Sequence, residues 1–350
     1  MRRTANVRRA LFFAMKYFYE LSRQGKIRRL YQLAWLALEA YGLNVSAVRL
    51  LTNDYNTIFR VDARDGQRYA LRINKPGTRT ALQIQSEMAW LMALRQDTDL
   101  LVPAPLMTTA GAWVVTLDPP DMLEARHCAA FAWLEGRIIG NHLSRMTLYK
   151  AGMLMAQLHN HADRFSPPPV FCDTRLDQVW PFGKPHGVEE DVDVFPPRLR
   201  RLVQQAATRV ERLMDELYAD PMGLRFLHLD LHTGNIVQHQ GRLGVLDFDD
   251  SRWAYGVQDI GIALYYLLDD PDYVALRRSF LQGYAQVRPL PEMYPGQLDS
   301  AIMARQLDLL SFVLQDEPDI DEDMLVWFEQ VEERLELLFA GVARRERGEW

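Results

Sequence analysis

His228-Leu229-Asp230-Leu231-His232-Thr233-Gly234-Asn235 runs directly into Ile236-Val237-Gln238-His239, and twelve residues after Asn235 comes Asp247-Phe248-Asp249-Asp250. The octet has no apolar period and reads as a loop, whereas 236–239 and 243–247 read as two short strands. Two short strands, each flanked by one of these polar clusters, bring Asp230, Asn235 and Asp247 into one small space. An acidic loop or an Asp-Phe-Asp turn alone would be an ordinary solvated feature. The ordered pair at this spacing is more specific.

The residue types suit phosphoryl transfer, which asks for a carboxylate beside the attacking hydroxyl, oxygen ligands for a divalent cation and a positive group for the phosphates. Asp and Asn on short turns supply hard oxygen ligands of the kind Mg²⁺ prefers. The two segments resemble the motifs of the aminoglycoside phosphotransferase family, which includes choline and homoserine kinases. Those motifs run approximately His-Gly-Asp-x-x-x-x-Asn and Asp-Phe, and are cousins of the protein-kinase motifs. The resemblance spans roughly residues 45–270. It implies an α+β, protein-kinase-like fold with a small β-rich lobe and a mainly helical lobe, and ATP and Mg²⁺ between them. Residue by residue, it makes Asp230 the catalytic base, Asn235 and Asp247 the metal ligands, and Asp249 a further metal or substrate contact. His228 becomes a brace for the loop, and Asp259, which follows Tyr255-Gly256 and opens an apolar helix, a second brace. Leu229 stands where the family usually has Gly.

Earlier in the chain, Tyr69-Ala70-Leu71-Arg72 reads as a strand that places Ala70 and Arg72 on one face, because side chains alternate. This is similar to the kinase pattern in which a small residue lies against adenine and a cation two positions later reaches the phosphates, with Arg in place of the usual Lys. Glu87 falls three residues after Ile84 and four before Leu91, on the inward face of a helix over 80–96. A buried carboxylate needs a partner, and Arg72 is the expected one, in the role of the kinase Lys–Glu pair. Asn53-Asp54-Tyr55-Asn56-Thr57 occupies the place of the phosphate loop without any Gly; backbone amides and the Asn56 or Thr57 side chains are the groups there that could meet phosphate. Phe131-Ala132-Trp133-Leu134-Glu135-Gly136 resembles the family's hinge. His159 and His161, two apart on a helix, do not share a face and make no metal pair.

The composition, 48% hydrophobic and 25% charged over 350 residues, is that of a globular chain long enough for two lobes. Strand and turn signals dominate up to about residue 134, including Asp65-Gly66 between strands at 56–63 and 68–73. Long helical patterns follow at about 144–163, 196–219, 257–268, 271–285, 296–315 and 321–343. The expected division is a basic extension over 1–28, a nucleotide-binding lobe over 29–134 and a catalytic, acceptor-binding lobe over 135–350, with an irregular insertion at 166–197.

The net charge of −6 is uneven: residues 1–134 carry 18 Lys and Arg against 11 Asp and Glu, residues 135–350 carry 22 against 35. An acidic body excludes nucleic acid as the main partner. It favours an amine-bearing hydroxyl acceptor of the aminoglycoside, amino-alcohol or homoserine type, with acid clusters at 189–193 and 316–323 contributing to the field. No apolar run approaches the ~20 residues of a membrane span. The two cysteines show no ligand or redox spacing, which fits a reducing cytoplasm; the chain is expected to be a monomer or homodimer. Nine basic residues in 1–30, interleaved with aromatics, suit a basic amphipathic helix on a membrane or partner, or a helix packed on the first lobe or on the acidic second lobe of a dimer mate. Two other functions share this pattern: a protein Ser/Thr kinase of the bacterial stress-response type, and a nucleotide-binding pseudokinase scaffold. Intact Asp230, Asn235 and Asp247 argue against the scaffold, which would not need a base and two metal ligands.

Overall fold

The computed structural model describes residues 17–119, 122, 124–140, 143–185, 188, 195–315 and 320–348. They divide into two compact units, one comprising Met1–Glu135 with Pro167–Cys172, the other Gly136–Ser166 with Asp173–Trp350. The architecture is α+β, with antiparallel sheets and eight helices among the described residues. No helix among them is long and apolar enough to cross a membrane.

The first unit begins with a single helical turn at Phe18–Glu20 and helix α1 (Arg23–Ala40). The boundary expected at residue 28 therefore falls inside a helix, whose start is set by Ser22 accepting from the Gly25 amide. Phe18 joins Leu30, Leu33, Ala34, Ala37 and Leu38 in the core, so the described part of the basic extension packs on its own unit; residues 1–16 lie outside the described residues. Strands β1 (Val45–Asn53), β2 (Thr57–Ala63), β3 (Arg68–Ile73), β4 (Ala104–Pro105), β5 (Val114–Leu117) and β6 (Arg126–Ala132) form one antiparallel sheet, ordered β1-β2-β3-β6-β4 with β5 also on β6. The β2–β3 hairpin turns where Gly66 takes φ of 85° and Asp65 accepts from the Gln67 amide. Helix α2 (Ala81–Asp97) starts with a reciprocal cap between Thr80 and Gln83. It buries Ile84, Glu87, Met88, Trp90, Leu91 and Leu94.

In the second unit, helix α3 (Arg145–Ala162) follows the short strand β7 (Arg137–Ile138), and α4 (Pro197–Tyr218) follows the irregular insertion. Short strands β8 (Arg225–Leu227), β9 (Ile236–His239), β10 (Arg242–Val245) and β11 (Arg252–Ala254) come next. They pair as β10-β9-β7 and β11-β8. Helices α5 (Gly256–Tyr265), α6 (Tyr273–Ala285), α7 (Gln297–Leu314) and α8 (Glu322–Glu346) complete the unit. Helices α3 and α6 touch backbone to backbone: a Cβ at Gly152 would lie 2.0 Å from the Phe280 carbonyl, one at Gly283 1.8 Å from that of Tyr149. The acid clusters at 189–193 and 316–319 lie outside the described residues. Asp321, in the described part of the second run, caps α8 by accepting from the Met324 amide at 2.9 Å, the ordinary use of a carboxylate at a helix start.

Candidate active site

In the second unit, β8 ends at Leu227, and the next three residues turn sharply. Leu229 has φ of 60°, a left-handed conformation that a side chain resists by about 1 kcal/mol. This gives the physical reason for a Gly at that position in relatives of the motif. Here the strain is held by a buried acceptor: the Leu229 amide donates to Asp259 Oδ1 at 3.0 Å, and the Leu229 side chain is only 2% exposed. Asp259, in the first turn of α5, is itself fully buried, and its Oδ2 lies 2.9 Å from His159 Nε2. His159 Nδ1 in turn lies 2.8 Å from the Tyr284 hydroxyl. One tautomer satisfies the chain, with His159 Nε2 donating to Asp259 and Nδ1 accepting from Tyr284.

His228 ties the two motif segments together. Its Nε2 donates to the Leu246 carbonyl at 2.9 Å, and its Nδ1 accepts from the Asp230 amide at 3.2 Å. Its ring meets Phe248 edge to face at 4.6 Å. The Leu246 amide donates to the Asn235 carbonyl at 2.8 Å, so both polar groups of Leu246 are pinned immediately before Asp247. Asp247 has φ of 55°, a left-handed backbone of the kind that marks functional sites. Its side chain is exposed, and Asp249, beyond the buried Phe248, is half-buried.

Burial lowers the pKa of His228 below 6.5, with the charges of Asp259 and Asp230 and the Leu246 carbonyl only partly opposing it. The sign follows: on unfolding at low pH, His228 takes up a proton that the native site refuses. Its share of stability is full above the unfolded value near 6.5 and is lost as pH falls below it. Between pH 6.5 and 5, unfolding free energy should fall with a slope component of up to about 1.4 kcal/mol per pH unit, one proton's worth. Urea titrations of wild type and His228→Asn check this. Equal slopes would show that His228 is not the group responsible.

The Asp230 carboxylate is enclosed by donors. Asn235 Nδ2 gives 2.9 Å bonds to both the Asp230 carbonyl and Oδ2; Oδ1 receives Arg305 Nη2 at 3.1 Å and the Tyr266 hydroxyl at 3.4 Å. Arg305 sits on α7 with its side chain 12% exposed, and bonds Asp308 and Tyr266 as well. Burial alone would lower its pKa; Asp308, Tyr266, Asp230 and Asp250 more than reverse that and raise it well above its ordinary value. The sequence alone does not point to Arg305 or Tyr266. No motif marks them, since they come from α7 and the residue following α5.

With its amide nitrogen committed to Asp230, Asn235 presents Oδ1 as its remaining ligating atom. Among the described residues no group of three or more His, Cys, Asp or Glu is arranged to hold a metal ion. An amide oxygen with one or two carboxylates, leaving other positions to phosphate and water, is nevertheless how Mg²⁺-type cations are bound. The donor chemistry therefore fits.

In the first unit, Arg72 and Glu87 form a bidentate pair, Nη1 donating to Oε1 at 2.9 Å and Nη2 to Oε2, with both side chains 4% exposed. The Arg72 guanidinium also lies over the Phe131 ring at 5.4 Å. Ala70, half-buried, shares the strand with Arg72 and pairs with Phe131. The Asn56 and Thr57 side chains have partners within their own unit. Asn56 Oδ1 accepts from the Lys75 amide at 3.2 Å, and Thr57, 5% exposed, donates its hydroxyl to Asn53 at 2.7 Å. Thr57 thus closes the β1–β2 turn, whereas Asn56 ties that turn to the segment just after β3.

The chain belongs to the phosphotransferase enzyme family (APH), whose model matches residues 48–295, and it is a kinase. It is 26% identical over 259 residues to amicoumacin kinase of Bacillus subtilis (strain 168), covering 71% of this chain and 73% of that one. It is 24% identical over 230 residues to stress response kinase A of Salmonella choleraesuis (strain SC-B67), covering 65% and 66%. Across the curated relatives the matched stretch spans 61% to 74% of their length. The solved structure of a microcompartment-associated aminopropanol kinase superposes with a TM-score of 0.74 at 25% identity, covering 91% of this chain and 98% of that one.

Proposed function

We propose that the protein transfers the γ-phosphoryl group of ATP to a hydroxyl of a small, amine-bearing molecule. The observation that carries the reading is the Asp230 carboxylate, held at Oδ2 by Asn235 and at Oδ1 by Arg305 and Tyr266. A base so oriented accepts the acceptor's proton as its oxygen bonds to phosphorus and the bond to the bridging β–γ oxygen breaks. Asn235 and Asp247, with Asp249 as a further contact, would hold Mg²⁺, which when bound neutralises phosphate charge. Arg72, oriented by Glu87, meets phosphate oxygens, and Ala70 lies against adenine. His228 and Asp259 fix the loop so that little reorganisation is needed during transfer.

Support for an amine on the acceptor comes from the acidic balance of residues 135–350 and from the aminopropanol kinase, whose named substrate is an amino-alcohol. The likeness to a relative named as a serine/threonine protein kinase, from Salmonella typhimurium, favours a second reading, a protein acceptor. One experiment separates them: ADP release scored over amino-alcohols, aminoglycosides, neutral sugars and Ser/Thr peptides, with Mg²⁺ or with EDTA. Amine-bearing alcohols should give the highest kcat/KM, falling with added salt, and EDTA should abolish turnover. A preference for neutral sugars or for peptides would reject the proposed acceptor, and EDTA-resistant turnover the proposed metal.

A further inference from the structure

Helices α6, α7 and α8 enclose a cavity of about 260 Å³ in the second unit, lined by residues of which none belongs to the loop of Asp230. Its charge runs against that of the surrounding sequence. Arg277, Arg278, Arg344 and Arg345 face a single carboxylate, Asp299, an excess of three positive charges. Residues 135–350 as a whole carry 22 basic against 35 acidic side chains.

The arginines are not simply solvated surface groups. Arg277 is 7% exposed and Asp299 1%. Arg277 Nη1 donates to Asp299 Oδ1 at 2.6 Å, and Arg345 Nη1 lies 2.6 Å from Asp299 Oδ2. One negative charge therefore serves two largely buried guanidiniums, while Arg278 and Arg344 stand exposed at the rim. Neighbouring carboxylates are engaged elsewhere: Glu346 with Arg209, and Glu292 with the amides of Gly296 and Leu298. Desolvation, followed by the like charge of Arg277, lowers the pKa of Arg345 despite Asp299. Gly341 makes the arrangement sterically workable, since a Cβ there would lie 3.0 Å from Arg345 Nη1 and 3.5 Å from Asp299 Oδ1.

We propose that this arginine-lined cavity binds the phosphoryl group of a small phosphorylated metabolite. A dianion offsets the excess charge better than a carboxylate, and guanidinium forks match its tetrahedral oxygens with paired hydrogen bonds. Val274, Leu337 and Leu338 provide an apolar wall for the rest of a small ester.

The test is calorimetric titration of the full chain with inorganic phosphate and with glycerol phosphate. Samples contain EDTA, so that metal-dependent phosphate binding near Asp247 is suppressed, and chloride at matched ionic strength and acetate serve as controls. Saturable one-to-one binding is expected, tighter for the ester. Arg278→Ala/Arg344→Ala, two exposed positions, should weaken it at least tenfold, while Arg72→Met/Glu87→Leu, which strands no buried charge, leaves it unchanged. Loss of binding in Arg72→Met/Glu87→Leu with retention in Arg278→Ala/Arg344→Ala would overturn the proposal. So would a non-saturable response equal to that of chloride, or acetate binding as tightly as phosphate.

Discussion

Asp230→Asn should lower kcat by about a hundredfold or more, the usual effect of removing a positioned base, with nucleotide affinity little changed. The separation of the two effects follows from the geometry. Asp230 is bonded by Asn235 Nδ2, Arg305 Nη2 and the Tyr266 hydroxyl, all donors. An asparagine keeps one acceptor and turns a donor toward another donor, so it also costs about 1–3 kcal/mol of stability through one unmet group. Folding remains favourable in a chain of this size, and the loop backbone stays anchored by His228 and Asp259, which bond main-chain atoms. Nucleotide affinity can therefore be measured on the variant by calorimetry alongside its turnover. Near-normal turnover would place the base elsewhere. Equal losses in affinity and turnover would make Asp230 a binding residue.

The motifs around Asp230 and Asp247 were legible because their chemistry is local, with donors and acceptors a few residues apart. Asn235 reaches Asp230 across five residues, and His228 reaches Leu246 across a tight hairpin. Arg305 reaches Asp230 across 75 residues, through the packing of α7 on α5, and nothing in its own neighbourhood marks it. No motif marks His159, and its contact with Asp259, 100 residues away, depends on the last turn of α3 meeting the first turn of α5. Among the elements, the long helices were legible from apolar spacing, but β1 was not. It is an edge strand with no fully buried residue, and register shifts at Val45/Ala47 and Leu50/Thr52 break the alternation that would have revealed it. The Asn56 and Thr57 side chains illustrate a different difficulty: residue type alone does not reveal that Asn56 bonds the Lys75 amide after β3 and Thr57 bonds Asn53.

The buried pair of Arg72 and Glu87 allows structural and functional roles to be separated by experiment. Truncating either partner alone strands a charge that is 4% exposed, and each single Ala variant should lose about 3–5 kcal/mol in urea unfolding. The Ala/Ala double variant should be little worse than either single, because the second change removes the charge the first left behind. Replacing both with apolar residues of similar bulk, Arg72→Met/Glu87→Leu, should cost little or stabilise the fold, since desolvation offsets most of what the pair contributes. Phosphoryl transfer in that variant should nevertheless fall by about a hundredfold or more, the effect of removing one preorganised charge from a developing anion. A fold that tolerates the apolar pair while turnover collapses assigns the pair to the phosphates. If Met and Leu preserve turnover, Arg72 does not touch phosphate and the pair is structural. Additive losses in the Ala series would show that the two side chains do not act as a unit, despite the bidentate geometry.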